Sequence, residues 1–279
     1  DVLNINGFDV PTELSSVAGK MIGVCRLMGA FNCQLPLIGD QDSSRLFLLT
    51  GYFDFDRCDF CSLERLLLNE KGADTKSAGI YVLEKGKKRV FFKCGAVGTR
   101  GKGTHDHNDQ LSVCVFHNNE EIICDSGTYV YTLDTKKRKE FRSVKAHSTV
   151  HFGEKEPNDI SPLFSVKTQN DGELINFSNE KVEGQFIYND STKHVRTVNF
   201  ENDDVVIKDV ALNGISRLIV PVPKDRIDII GMNEISFLMK TIKVTIRASE
   251  KITLQKAEIS KAYGTKNEAT YVDTSVIGE

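Results

Sequence analysis

The spacing of apolar positions changes once along the chain. After Pro11-Thr12-Glu13, which reads as a helix start, Leu14, Val17, Ala18, Met21, Ile22, Cys25 and Met28 recur at intervals of three and four. That is the pattern of one buried helix face. Gly19, Gly23 and Gly29 lower the intrinsic helix propensity, so tertiary packing must hold this segment. A turn-rich stretch from Gln34 to Asp42 follows, and a second, shorter helix is expected from Cys58 to Asn69 with Leu63, Leu66 and Leu67 inside. Two helices cannot form a domain of this size alone. Residues 1–72 therefore read as the tail of a larger helical unit.

Beyond that point, over residues 73–279, the period becomes two. Ile80–Leu83 and Arg89–Ala96 read as strands joined by a turn at Lys85-Gly86-Lys87-Lys88. Leu111, Val113 and Val115 alternate with Ser112, Cys114 and Phe116, and Asn118-Asn119 turns that strand into Ile122-Ile123-Cys124. Near the C-terminal end Ile242, Val244 and Ile246 alternate with polar neighbours, and Ile252 and Leu254 continue the pattern. At least twelve short strands with no helix between them predict a mainly β fold, a large antiparallel β-sandwich.

Composition narrows the picture a little. With 40% apolar and 27% charged residues, the chain can bury an ordinary core. A net charge of −3 gives no reason to propose nucleic acid as a partner. The densest basic run, Lys136-Lys137-Arg138-Lys139, lacks interleaved aromatics and reads as a solvated loop. No apolar stretch approaches the ~20 residues of a membrane span. Seven cysteines, lying mostly on apolar runs, favour a reducing compartment. Cys58 and Cys61 form one C-x-x-C without the second pair a zinc ribbon needs.

The chemistry concentrates between positions 103 and 150. Gly103-Thr104-His105-Asp106-His107 carries two histidines two residues apart, which share a face if the segment is extended. Asp125-Ser126-Gly127 ends the next strand, and Ala146-His147-Ser148-Thr149-Val150 enters another. Imidazoles and a carboxylate on neighbouring strands make an N/O site that suits zinc, whereas calcium or magnesium calls for more oxygen ligands. Ser126 and Thr149, or Asp106 and Asp109, are placed to orient such ligands. The plainer readings are surface histidines for His105 and His107, a turn for Asp125, and a hydrogen-bonded core residue for His147. His151 alternates with Val150 and Phe152 and is expected to be solvated; His117 sits at a hairpin end. Asp40-Gln41-Asp42 resembles the opening of a calcium loop without its later Gly and Glu. Gly98 to Gly103 lacks the Lys-Ser/Thr of a phosphate loop, and no G-x-S-x-G elbow occurs.

Taken together, His105-Asp106-His107, Asp125-Ser126-Gly127-Thr128-Tyr129, and Phe141-Arg142-Ser143 through Ala146-His147-Ser148-Thr149-Val150 resemble the signature of the heparinase II/III-like polysaccharide lyases. Pro36-Leu37-Ile38-Gly39-Asp40-Gln41-Asp42 resembles the segment closing that family's helical domain, and His194-Val195-Arg196 resembles a further family habit. Ser148 departs from the family's usual Asn. The resemblance implies an α/α toroid whose end lies in residues 1–72, followed by the β-sandwich. It implies β-elimination on an acidic, uronic-acid-containing polysaccharide, with His105 in proton transfer and zinc held by His107, Asp125 and His147 as a structural ion. Arg142 is a candidate partner for a substrate carboxylate, with a structural salt bridge as its alternative.

In that family the catalytic tyrosine and the group neutralising the uronate carboxylate come from the toroid, and neither Tyr52 nor Tyr129 matches the former. The chain alone is therefore expected to have little or no lyase activity. Two other readings stay open: a carbohydrate-binding or assembly module that does no chemistry, and a metal-dependent hydrolase. Compartment is divided between the cytoplasm that the cysteines favour and the periplasm that the resemblance implies.

Overall fold

The computed structural model describes residues 6–7, 9–28, 35–41, 75–98, 103–167 and 170–276. The expected helix from Cys58 to Asn69, the boundary at 72/73, and Cys33, Tyr52, Cys58 and Cys61 lie outside the described residues.

Helix α1 spans Thr12–Leu27, where the spacing predicts it, and closes with the Met28 N–H on the Val24 carbonyl. Its burial differs from the expectation. Leu14, Val17 and Met21 are exposed, and the buried positions are Gly19 and Gly23. Periodicity gives the apolar face but not which part of it meets a neighbour. Here the side without side chains is the one that packs closely. At its C-terminal end Met28 packs on the sandwich residues Phe91, Cys114 and Phe116.

Among the described residues fifteen strands follow in four sheets, and every pairing within them is antiparallel. The first sheet orders β1 (Ile80–Lys85), β2 (Lys88–Lys93), β3 (Val113–His117) and β4 (Glu120–Ile123) as a meander. Asn118 and Asn119 join β3 to β4 at φ 48° and 68°, the left-handed pair that suits a tight hairpin and that Asn tolerates. The second sheet is β6 (Glu173–Phe177), β7 (Lys181–Ile187), β8 (Lys193–Glu201) and β9 (Asp204–Val210). The third is β14 (Ile252–Ile259), β15 (Asn267–Ser275), β10 (Ile215–Val220) and β5 (Val150–His151). A three-stranded sheet of β11 (Ile227–Gly231), β12 (Glu234–Leu238) and β13 (Lys243–Arg247) completes the set.

One core joins them. Leu83, Val90, Phe92 and Val113 from the first sheet pack with Val182, Phe186 and Val198 from the second, Val220 and Val272 from the third, and Ile235 and Phe237 from the fourth. The fold is the β-sandwich that the period-two pattern predicts. Cys94, Cys114 and Cys124 are free and buried, and burial pushes the Cys94 thiol up to about 12. No helix among the described residues is long and apolar enough to cross a membrane.

Two local expectations fail. The basic run is not a loop: Thr135–Arg142 forms helix α2, capped by Asp134, whose carboxylate accepts the N–H groups of Lys136 and Lys137. Arg138, Phe141 and Arg142, at i, i+3 and i+4, make its buried face. His151 is not solvated either; it is 5% exposed, and neither ring nitrogen has a hydrogen-bond partner.

Candidate functional site

The site forms where four pieces of backbone meet: residues 35–41, the loop from Gly103 to Gln110, the end of β4, and α2 with the turn after it. Gly39 sets the first contact. It has φ 62°, and a Cβ there would lie 2.7 Å from the His105 carbonyl oxygen, so only glycine lets the two segments touch. The Asp40 N–H then donates to that same carbonyl at 3.0 Å.

Asp40 is the hub. Its side chain is fully buried and accepts a two-pronged bond from the Arg138 guanidinium, with Nη2 to Oδ2 at 2.6 Å. His107 Nε2 lies 2.8 Å from Oδ1, and His105 Nδ1 lies 3.3 Å from Oδ2. Burial opposes charge on Asp40, but bonds from His107 and Arg138 outweigh it and hold the carboxyl well below its ordinary range. His107 is itself buried, which lowers its pKa despite the bond to Asp40. His105 sits at φ 62° with a side chain 72% exposed. The H-x-H segment is therefore a turn and not an extended strand. The two histidines converge through Asp40, not by sharing a strand face.

A second carboxylate–imidazole pair lies alongside. His147, at the end of the short turn Val144–Ala146, places Nδ1 2.7 Å from Asp125 Oδ2. Burial disfavours its charged form, yet Asp125 prevails and raises the His147 pKa. Asp125 is also the turn residue of the plainer reading, since its Oδ1 accepts the Gly127 N–H at 3.0 Å. Ser148 fixes the spacing between the two strands involved: its hydroxyl donates to the Cys124 carbonyl at 2.7 Å and accepts the Ile219 N–H at 3.0 Å. The residue that departs from the family pattern thus has a defined structural role.

The His107 and His147 rings lie 5.4 Å apart, and each has one buried nitrogen with no partner, Nδ1 of His107 and Nε2 of His147. An ionised carboxylate only accepts, so Asp40 and Asp125 each pin a proton on the nitrogen they touch. In the neutral ring the opposite nitrogen then carries a lone pair. That arrangement is the one carboxylate–histidine–metal sites use. Among the described residues no three His, Cys, Asp or Glu side chains converge as a metal centre would. Asp125 is engaged with His147 and orients it.

The surrounding charges are structural. Lys93 at the end of β2 pairs with both Asp106 and Asp109, all three buried. Asp106 Oδ2 also accepts the Gly98 N–H at 2.7 Å, which ties down the loop that carries His105. Thr149 donates to the Gln110 carbonyl at 2.8 Å and so braces the backbone. Ser126 Oγ is buried without a partner.

Arg142 is the candidate partner for a substrate carboxylate. Arg142 is fully buried and donates to the carbonyls of Asp106, Pro162, Leu163 and Ser165. Burial and the neighbouring Arg138 lower its pKa to about 10. Among the described residues Arg142 forms no salt bridge, and its side-chain partners are backbone carbonyls. Arg196 does similar work from β8, bonding Asp209 and the carbonyls of Leu111 and Ser148. Sequence reasoning missed Asp40 and Arg138. Their signals were the i, i+3, i+4 spacing of Arg138, Phe141 and Arg142, and the Gly before Asp40.

The sandwich thus carries a histidine-bearing loop and two carboxylate-pinned imidazoles side by side. The sequence profile described as heparinase II/III-like, C-terminal, matches residues 68–265, and the chain belongs to that family. Two solved structures of heparinase III match with 17% and 15% identity and TM-scores of 0.69 and 0.72, covering all of this chain and 46% and 47% of theirs. A heparan sulfate lyase from Pedobacter heparinus matches with 15% identity and TM-score 0.66, over 95% of this chain and 45% of its own. The chain thus spans about half the length of these structures, and at such identities the likeness shows a common fold. No curated protein matches the chain by sequence.

Proposed function

We propose that this chain is the sandwich-bearing part of a polysaccharide lyase that cleaves a uronic-acid-containing chain by β-elimination. The observation that carries the reading is His105, whose side chain is 72% exposed and whose Nδ1 lies 3.3 Å from the buried Asp40 carboxylate, itself held well below its ordinary range. In this reading Nδ1 faces Asp40 and Nε2 serves as the base. The proton at C5 of a uronate is weakly acidic. Its removal by Nε2 and departure of the C4 oxygen leave a C4–C5 double bond, and a second acid must protonate the leaving oxygen. In this reading that acid, and the group neutralising the uronate carboxylate, come from the toroid ending in residues 1–72.

Zinc is proposed as a structural ion. His107 through Nδ1 and His147 through Nε2 would hold it, with Asp125 fixing His147 or joining as a third donor. When bound it would brace the loop that carries His105 and supply positive charge beside it. The compartment stays divided in this proposal: the cysteine content suits a reducing one, and the family resemblance the periplasm.

A carbohydrate-binding or assembly module is the second reading, and the burial of Arg142 favours it, because that removes the one cation assigned to a substrate carboxylate. The test is product analysis on heparan sulfate with the full-length protein, its His105→Ala variant and the 279-residue chain. An ultraviolet-absorbing unsaturated uronate, lost in His105→Ala and little formed by the chain alone, is expected. Saturated product ends point instead to hydrolysis, and binding without product points to the module. Elemental analysis alongside His107→Ala tests zinc: a metal-free protein whose stability ignores the substitution refutes it.

A further inference from the structure

The segments that bear the site's imidazoles belong to different sheets. The loop from Gly103 runs into β3 of the first sheet, whereas His147 precedes β5 of the third. Among the described residues no ladder pairs β3 with β5, so the regular spacing of a sheet does not fix their separation. Discrete hydrogen bonds set it instead. The Val113 N–H reaches the Ser148 carbonyl at 3.2 Å. Leu111, at the end of the histidine loop, sits at φ 58°, a left-handed conformation that a leucine holds only at a cost.

Arg196, fully buried on β8 of the second sheet, closes this junction. Its Nη1 donates to the Leu111 carbonyl at 2.9 Å and to the Ser148 carbonyl at 2.7 Å. The other edge of the guanidinium faces Asp209, its register partner on β9, with Nε to Oδ1 at 2.7 Å and Nη2 to Oδ2 at 2.9 Å. Nη2 also donates to Ser216 Oγ at 3.3 Å, so all five N–H groups are engaged. Asp209 is anchored in turn: His194 Nε2 lies 2.8 Å from Oδ1, and the Ser216 hydroxyl donates to Oδ2 at 2.6 Å. Burial opposes charge on Asp209, but Arg196 and His194 outweigh it and hold the carboxyl well below its ordinary range. One edge of the fork is thus fixed, and the other grips one carbonyl from each imidazole-bearing segment.

We propose that Arg196 is a positioning residue, which sets the separation between the loop carrying His105 and His107 and the segment carrying His147. Ser148 adjoins His147, so a shift of its carbonyl moves that ring. For its effect on turnover the inference rests on the lyase reading; for the relation of the His107 and His147 rings it does not. Lysine is no substitute. One ammonium can pair with Asp209, but it has no planar fork with which to hold both carbonyls as well.

The experiment compares the full-length wild type with Arg196→Lys and His194→Gln. The second variant removes a bond to Asp209 and leaves both carbonyl contacts in place, so it loosens the anchor without releasing the clasp. Unsaturated product released from heparan sulfate gives kcat and KM. Competition with a chromophoric chelator gives the affinity for zinc, and melting temperatures check folding. Arg196→Lys should lower kcat about ten- to a hundredfold with KM within about twofold, and weaken zinc by a similar factor. His194→Gln should stay within about twofold of wild type in kcat and zinc affinity. Should Arg196→Lys not fold, Arg196→Met combined with Asp209→Asn strands no buried charge and takes its place, with the same losses expected. If the folded clasp variant matches wild type in kcat and zinc affinity, or if His194→Gln falls as far, the positioning role is refuted and the lyase reading stands. If wild type releases no unsaturated product while the clasp variant alone loses zinc, Arg196 keeps its role and the lyase reading falls. A wild type that neither eliminates nor binds zinc overturns both.

Discussion

Replacing Asp40 by asparagine removes one charge and almost no volume, which makes it the sharpest probe of the site. In the native protein its two oxygens satisfy Arg138 and pin His107, and His105 Nδ1 lies 3.3 Å away. Asp40→Asn leaves a fully buried guanidinium facing an amide that must present one N–H group toward it. Breaking a buried pair from one side costs about 3–5 kcal/mol, because the stranded charge keeps its desolvation penalty. For a domain of this size that corresponds to a fall in melting temperature of roughly 10 °C. Calorimetry of the wild type, Asp40→Asn, Arg138→Met and the double variant completes the cycle. The double variant should be at least about 2 kcal/mol less destabilised than the sum of the singles, since it strands no charge. A melting temperature within about 2 °C of wild type for Asp40→Asn, or strict additivity, would falsify the hub.

Glycine substitutions separate strain from collision. Gly127→Ala has φ 77° and a Cβ 2.3 Å from the Ser260 carbonyl oxygen, whereas Gly264→Ala has φ 73° and open space. Urea unfolding should show about 1 kcal/mol lost at Gly264 and more than twice that at Gly127; equal losses would mean that the Ser260 contact relaxes freely. Arg142→Lys should cost about 2–4 kcal/mol, since one ammonium cannot serve four carbonyls. Its oligosaccharide affinity, measured on the folded fraction, should stay within about twofold; a much larger loss would restore Arg142 to the substrate. His151 predicts acid lability. Burial and Arg217 depress its pKa from 6.5 to about 4, so the unfolded chain binds the proton first. The stability is complete above pH 6.5 and is lost as pH falls toward 4, by about 2 kcal/mol. His151→Asn should lose less over that window; an identical pH dependence would exclude His151 as the cause.

Much of the architecture was legible because its signals are local. Alternation over Val113–His117 and Lys243–Arg247, and the Asn118-Asn119 turn, report a backbone period and a turn geometry that neighbouring residues set among themselves. The helix at Thr12–Leu27 was legible for the same reason, while the orientation of its face was not, since that depends on what it packs against. At the site, sequence singled out His105, His107, Asp125 and His147, because clustered histidines beside strand ends are conspicuous in any chain.

It did not show how they divide. His147 with Asp125 is a pair across 22 positions, whereas His107 answers to Asp40, 67 positions away, and Arg138 reaches Asp40 across 98. Nothing within a window around Asp40 distinguishes a buried hub from a turn aspartate. Only the chain's path, which brings Gly39 against the His105 carbonyl and the α2 face against both, removes water from that carboxylate and gives it partners. The same holds for Arg138 and Arg142, read as a solvated cation and a substrate contact until folding enclosed them. Local sequence determines period, turns and which chemistries are present. Burial, and therefore which charges bind structure and which face a substrate, is a property of the assembled fold.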